Sequence, residues 1–182
     1  MNDFFTTGRN WEHTLAIVLL LARFGDLAST YLATPTLRLE ANPLARKFGW
    51  PFAWLTLLVC FVPYYNTSLA VIAITVSLFA TASNLSRAWI IRALGEAEYL
   101  NVLQRAAAAS RPREAIAFIL ASSGAFALAG VVLLVISGGP GEWPFWFAVG
   151  IIAYAYAMAM FGVVFVRRLY RQSTAAKTVQ TE

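Results

Sequence analysis

Five apolar blocks, each close to the length that crosses a bilayer, run through this 182-residue sequence. A hydrocarbon core of about 30 Å needs roughly 20 apolar residues in an α-helix. Short polar segments separate the blocks, which lie at about 12–33, 45–65, 67–91, 114–137 and 144–168. Only 13% of the residues are charged, against about 25% in an ordinary soluble domain. The sequence therefore predicts an all-α protein, a polytopic transmembrane helical bundle with about five membrane-spanning helices.

The segment between the third and fourth blocks predicts one additional helix. The segment at about 96–111 is rich in Ala, which favours helix, and Tyr99, Leu100 and Leu103 share one face of it. We expect a cytoplasmic amphipathic helix, either a connector on the membrane surface or a docking surface for a cytoplasmic partner. No linker divides the blocks, so residues 1–182 are expected to form a single integral membrane domain. A four-span arrangement stays open if the second and third blocks form one broken hairpin.

Basic residues are confined to alternate connections between the blocks. The turns at 64–68 and 137–143 contain no Lys or Arg, and only Arg9 lies on their side of the membrane. The other connections carry Arg38, Arg46, Lys47, Arg87, Arg92, Arg105, Arg111, Arg113, Arg167, Arg168, Arg171 and Lys177. Because cytoplasmic loops are enriched in Lys and Arg, we expect a plasma (inner) membrane protein with its N-terminus outside and its C-terminus cytoplasmic. The net charge of +5 then reflects topology, and no nucleic-acid partner is expected.

Two ionisable residues, Arg23 and Asp26, lie inside the first apolar block. A charge at the membrane centre costs roughly 2.5–3.5 kcal/mol, so it needs a partner or a function. Asp26, Ser29 and Thr30 are spaced i, i+3, i+4 and share one helical face. One interpretation is the wall of an interior site for a cation, a proton or a polar ligand. The other is an Arg23–Asp26 ion pair, with the hydroxyls bonded back to the preceding turn.

Further polar residues fall near the cytoplasmic ends of the next two spans. Asn42 and Pro43 read as the N-cap and first residue of the second helix, and Glu40 is not needed for that cap. Asn84 and Arg87 share a face of the third span; Arg87 can extend to lipid phosphates, whereas a buried amide usually bonds across helices. We expect an oxygen-rich pocket suited to Na⁺ or Mg²⁺ rather than zinc, built from Asp26, Thr30, Glu40, Asn42 and Asn84.

The same polar positions carry a family resemblance. The chain resembles an uncharacterised family of small multi-pass prokaryotic membrane proteins, a domain of unknown function, in the ordered pattern Asp26-x-x-Ser29-Thr30, Glu40-x-Asn42-Pro43 and Asn84. The resemblance covers about residues 20–90. It implies that these positions belong together and implies no particular activity. Arg23 is outside the pattern, which argues against a free carboxylate at Asp26.

Three classes of function are compatible with these residues. The first is binding or transport of a cation, proton or small polar ligand; the second is an accessory subunit of a larger membrane complex; the third is a Mg-dependent enzyme acting on a lipid or phosphate substrate. His13 is the only histidine and no nucleophile or phosphate-loop motif occurs, so we expect no catalytic residue and no cofactor. The expected partners are the lipid bilayer and further copies or other membrane subunits. The expected ligand-binding residues are Asp26, Ser29, Thr30, Glu40, Asn42 and Asn84, with Arg23 and Arg87 beside them.

Overall fold

The computed structural model describes residues 11–179, with side chains described as far as Ser173; Arg9 lies outside this part of the chain. The described residues form six α-helices and one 3₁₀ helix. In chain order these are α1 (Trp11–Ala33), α2 (Pro43–Leu55), the 3₁₀ helix (Thr56–Tyr64), α3 (Thr67–Leu94), α4 (Glu96–Ala109), α5 (Pro112–Ile136) and α6 (Trp143–Val179). The prediction of an all-helical bundle is confirmed for the described residues.

Four of the helices are long and apolar enough to cross a membrane. They are α1, α3, α5 and the Trp143–Ser173 part of α6. Their ends follow local signals, because Asn66 caps α3 by accepting from the amide of Leu69 at 3.0 Å and Pro112 is the first residue of α5. These helices agree with a membrane location and with four of the five predicted spans.

The second predicted span, at about 45–65, is not one continuous α-helix. Asn42 caps α2 as expected, but Gly49 adopts φ +70° and interrupts the helix two residues before Pro51. From Thr56 the backbone continues as a 3₁₀ helix. Glycine adopts this left-handed φ without the clash that a Cβ would cause, and proline lacks the N–H that a helix interior requires. The break therefore has a local cause.

Helices α1 and α3 run parallel to each other. Leu15 packs with Ala70 near the start of both helices, and Ala33 packs with Ala88 and Ile91 near the end of both. Residue numbers therefore rise together along the two helices. Because the chain leaves α1 at one end and enters α3 at the other, the intervening segment must return along their full length.

The return is made by α2 and the 3₁₀ helix. The Trp50 indole donates to the carbonyl of Pro35 at 2.9 Å and its ring meets that of Tyr31, whereas Tyr64 hydrogen-bonds His13 at 2.8 Å. Residues 13 and 31 of α1 are about 27 Å apart at 1.5 Å per residue. The segment from 50 to 64 thus covers nearly the thickness of a hydrocarbon core.

Small residues bring α6 against α3 and α5. A Cβ on Gly150 would lie 2.6 Å from the Cβ of Thr75 in α3, and one on Gly162 would lie 2.9 Å from Ile119 in α5. Phe79, Phe126 and Tyr154 fill the space among the three helices, with ring centroids 5.3–5.7 Å apart. Close approach at small residues is the usual way for helices to pack in a bilayer.

One end of the bundle gathers the basic residues, and we call it the basic pole. It is formed by residues 34–47, 87–113 and 167–173. Helix α4 lies across it, where Ser110 meets Tyr170 at 2.8 Å and Tyr99 packs on the ends of α1 and α3. Apart from Arg23, the Lys and Arg residues whose side chains the structure describes all belong to this pole. The opposite end contains His13, Tyr64 and the turn at 137–142.

Candidate functional site

A partly open cavity of about 450 Å³ lies at the basic pole, between α1, α3, α4, α5, α6 and the connection at 34–42. This volume falls in the range of roughly 300–1,000 Å³ that is typical of small-molecule sites. Helices α1 and α3 and the connection between α1 and α2 contribute most of the polar lining residues, which are Thr30, Thr34, Glu40, Ser83, Asn84 and Arg87. The lining residues from α4, α5 and α6 are mainly apolar and include Leu103, Ile119, Met158, Phe161 and Phe165. The cavity can therefore accept a molecule with one polar and one apolar part.

Hydrogen bonds between α1 and α3 join polar residues of the lining. The amide of Asn84 donates to the hydroxyl of Thr30 at 2.9 Å and approaches that of Ser29 at 3.4 Å. Ser29 in turn donates to the carbonyl of Asp26 at 2.9 Å. The cross-helix bond places Asn84 where the sequence expected it, beside the hydroxyl face of α1. Thr30 and Asn84 thus line the cavity side by side.

Glu40 supplies the carboxylate of the cavity lining. Its Oε1 accepts from the backbone amide of Asn42 at 2.7 Å. Burial raises the pKa of Glu40, and the amides of Asn42 and Ala41, followed by Arg46 and Arg87, only partly offset that rise. Partial removal of a carboxyl from water disfavours its charged form, which is the cause of the higher pKa. Asn42 itself caps α2 and does not line the cavity.

Arg23 and Asp26 form an ion pair that is separate from the cavity lining. Arg23 Nη1 donates to Asp26 Oδ2 at 2.6 Å, and the two side chains are 17% and 16% exposed. Arg23 Nη2 also donates to the hydroxyl of Thr56, which donates to the carbonyl of Ala53 at 2.6 Å. The pair therefore ties the middle of α1 to the junction between α2 and the 3₁₀ helix. Neither residue lines the cavity.

Glu96 stabilises the connection between α1 and α2, and the sequence did not predict this role. Its carboxylate accepts from the hydroxyl of Thr34, from the amide and hydroxyl of Thr36 at 3.2 and 2.7 Å, and from the amide of Arg38 at 2.8 Å. Burial alone would raise the pKa of Glu96, but these hydrogen bonds outweigh it and hold the pKa below its usual value. Within the same connection Leu37 takes a left-handed φ of 57°, which is costly for a residue with a Cβ. Glu96 thus holds the connection that carries Glu40.

Arg168 is a second residue whose contacts near the cavity the sequence did not predict. Its Nη2 donates to the carbonyl of Arg38 at 2.7 Å. Its guanidinium lies over the ring of Phe165, 5.7 Å from the centroid, and Phe165 lines the cavity. In the sequence Arg168 is one of several basic residues at the end of a span, so no local signal distinguishes it.

The structure brings four of the eight predicted site residues to the cavity. Thr30, Glu40, Asn84 and Arg87 line it, while the remaining four lie nearby without lining it: Arg23, Asp26, Ser29 and Asn42. Among the described residues, no three His, Cys, Asp or Glu side chains gather as a metal site would require. The polar groups of the lining are hydroxyls, one amide, one carboxyl and one guanidinium.

Comparison with known proteins assigns neither a family nor a function to the chain. No family model, no curated protein and no solved structure matches the chain. The family resemblance carried by the residues from Asp26 to Asn84 therefore stays a prediction. A function can be inferred only from the geometry of the cavity.

Proposed function

We propose that this chain is an integral membrane protein that binds a small organic ligand, partly polar and partly apolar, at the basic pole. The cavity of about 450 Å³ carries the proposal, because a tightly packed bundle has no structural need for a void of that size. Asn84 and Glu40 would bind the polar part. Among the ligands expected from the sequence, a polar molecule is favoured over a metal cation, since Asp26 is already paired with Arg23.

The proposal includes the arrangement in the membrane. The parallel α1 and α3, joined by a return that reaches from Trp50 to Tyr64, support five crossings. The excess of Lys and Arg at one pole supports a cytoplasmic location for that pole. The N-terminus is then outside, the C-terminus is cytoplasmic, and the ligand enters from the cytoplasmic side or from the inner leaflet.

Blocking the cavity tests the binding function. Ala80 lines the cavity, whereas Ala82 on the same helix is exposed, so Ala80→Leu and Ala82→Leu form a matched pair. Native mass spectrometry of each protein released from mild detergent would report a non-covalently bound small molecule. We expect the molecule in the wild type and in Ala82→Leu, and its loss in Ala80→Leu. A wild type that carries no more small molecule than Ala80→Leu contradicts the proposal.

Site-specific labelling tests the arrangement. Cys60 is the only cysteine, so single cysteines can be placed at Arg38 and Tyr65 in a Cys60→Ser background. On intact cells a membrane-impermeant maleimide should label Tyr65→Cys, and it should reach Arg38→Cys only after permeabilisation. Labelling of both positions from the same side would show that α2 and the 3₁₀ helix do not cross the membrane.

A further inference from the structure

Glu40 and Arg87 are the two charged residues in the lining of the cavity. The charge of the carboxylate is opposite to that of the guanidinium, so the lining as a whole has no net charge. Among the described residues, the ion pairs join other side chains, and none joins Glu40 to Arg87. Two opposite charges therefore line the same cavity without being paired with each other.

Arg87 is held beside the cavity by bonds within its own helix. Its Nε donates to the carbonyl of Ser83 at 3.2 Å and its Nη2 donates to the hydroxyl of Ser83 at 2.9 Å, and Ser83 also lines the cavity. An arginine side chain has more N–H donors than these two bonds use. The guanidinium is thus positioned at the lining and keeps donors for an anionic group.

Glu40 is held at the lining by the backbone. Its Oε1 accepts from the amide of Asn42 at 2.7 Å, and a carboxylate has further acceptor positions on its two oxygens. Burial raises the pKa of Glu40, and a cationic group beside a carboxyl favours the charged form again. The carboxylate can therefore accept from an ammonium group in the cavity.

The remaining chemistry of the cavity is mainly apolar where α5 and α6 line it. Ile119 of α5 and both Met158 and Phe161 of α6 belong to this part. A small ion would leave these side chains uncovered. An apolar chain with a single charge would leave either Glu40 or Arg87 without a partner. A ligand that satisfies all three parts needs an ammonium group, an acidic group and an apolar chain.

We propose that the ligand is a zwitterion with an apolar chain, its ammonium group bound by Glu40 and its acidic group bound by Arg87. The chain lies against Ile119, Met158 and Phe161. Hydrogen bonds between charged groups are roughly twice as strong as those between neutral groups, so both ends of the zwitterion contribute to binding. An apolar amino acid has this chemistry, and so has a phospholipid with an ethanolamine headgroup. This inference rests on the proposed binding function and specifies the chemical class of the ligand.

The test compares matched probes by thermal shift of the full chain in a non-ionic detergent. L-phenylalanine carries all three parts; hydrocinnamate lacks the ammonium, phenethylamine lacks the acid, and glycine lacks the apolar chain. Lysophosphatidylethanolamine presents the same chemistry on a lipid, and lysophosphatidic acid is its counterpart without the ammonium. We expect one of the two zwitterions with a chain to stabilise the protein at concentrations where its partial counterparts have little effect. Whichever zwitterion does so identifies the source.

Two substitutions should change the preference among these probes. Glu40→Gln should weaken the response to the zwitterion about tenfold or more and leave it no better than its counterpart without the ammonium. Arg87→Gln, at an exposed position where folding should tolerate the change, should weaken it similarly and leave L-phenylalanine no better than phenethylamine. A purely structural role would weaken the responses to all probes alike. Arg92→Gln, an exposed residue of α3 outside the lining, should keep the wild-type preference.

Other outcomes separate the ligand class from the binding function. Stabilisation by phenethylamine or hydrocinnamate equal to that by L-phenylalanine, and lost in Ala80→Leu, overturns the zwitterion while the binding function stands. An equal response to glycine overturns the requirement for a chain, and equal effects of Arg87→Gln and Arg92→Gln overturn the site at Arg87. If no probe stabilises the wild type, the zwitterion is overturned, and native mass spectrometry of Ala80→Leu still decides the binding function. A response to the zwitterion unchanged in Ala80→Leu overturns both proposals for this cavity.

Discussion

Removing one member of the Arg23–Asp26 pair should cost far more stability than removing both. Asp26→Asn deletes the negative charge and leaves Arg23 charged, only 17% exposed, with its Nε already buried and unpartnered. Breaking a buried ion pair in this way costs about 3–5 kcal/mol, and a lone charge in mid-membrane costs roughly 2.5–3.5 kcal/mol on insertion scales. Because Arg23 keeps its bond to Thr56, we expect a loss of about 3 kcal/mol.

The double variant Arg23→Leu/Asp26→Leu is the matched control. Thr56 retains its donation to the carbonyl of Ala53 at 2.6 Å, so removal of Arg23 leaves no unsatisfied hydroxyl. Replacement of a buried pair by apolar residues of similar size is often neutral or stabilising. We expect the double variant to lie within about 1 kcal/mol of the wild type or above it.

The assay is equilibrium unfolding in mixed lipid–detergent micelles, followed by circular dichroism, for the wild type, Asp26→Asn and the double variant. The free energy of unfolding should fall for Asp26→Asn and recover in the double variant. A double variant as unstable as the single one refutes the buried-pair reasoning. An Asp26→Asn protein of unchanged stability that no longer responds to ligand would instead place Asp26 in the binding site.

Three further predictions concern helix packing, capping and pH. Gly150→Ala should destabilise the protein by about 1–3 kcal/mol in the same unfolding assay, because the new Cβ meets Thr75 at 2.6 Å; Gly124→Ala has no neighbour within 4 Å and should be neutral or stabilising. Asn66→Ala removes the cap of α3 and should cost about 0.5–2 kcal/mol, and a cost near zero would show that the cap is dispensable. Hydrogen bonds outweigh burial and lower the pKa of Glu96, so its contribution to stability is present above the ordinary glutamate pKa of 4.5 and is lost as pH falls through the lower folded value. Unfolding measured from pH 7 to pH 3 should therefore show a loss of stability in the wild type that is smaller in Glu96→Gln.

The sequence by itself determined the helices of the long apolar spans and most of their ends. Hydropathy and length act within a single segment, so α1, α3, α5 and α6 could be predicted from about 20 residues at a time. The caps at Asn42 and Asn66 and the proline at the start of α5 are equally local signals. The helix at α4 followed from composition and from one apolar face. The alternation of basic connections was also readable, because it depends only on where the blocks end.

The interrupted second span could be predicted only in part from the sequence. Gly49 and Pro51 interrupt the helix locally, but the sequence left open whether the second block is a span of its own or forms one broken hairpin with the third block. The path of this segment depends on contacts with residues outside it. Trp50 hydrogen-bonds the carbonyl of Pro35, and Tyr64 hydrogen-bonds His13 at the opposite end of α1. Those contacts make the segment return along α1.

Only the tertiary structure decided which polar residues share a site. The bond from Asn84 to Thr30 joins residues 54 positions apart, and the bonds from Glu96 to the connection after α1 span about 60. Arg168 reaches the carbonyl of Arg38 across 130 positions. Hydropathy and propensity carry no information over such separations, whereas the packing of Gly150 against Thr75 and of Gly162 against Ile119 sets where α6 lies and hence where the cavity is left open. The sequence therefore identified several of the polar residues, such as Thr30, Glu40 and Asn84, and helix packing decided which polar residues lie together.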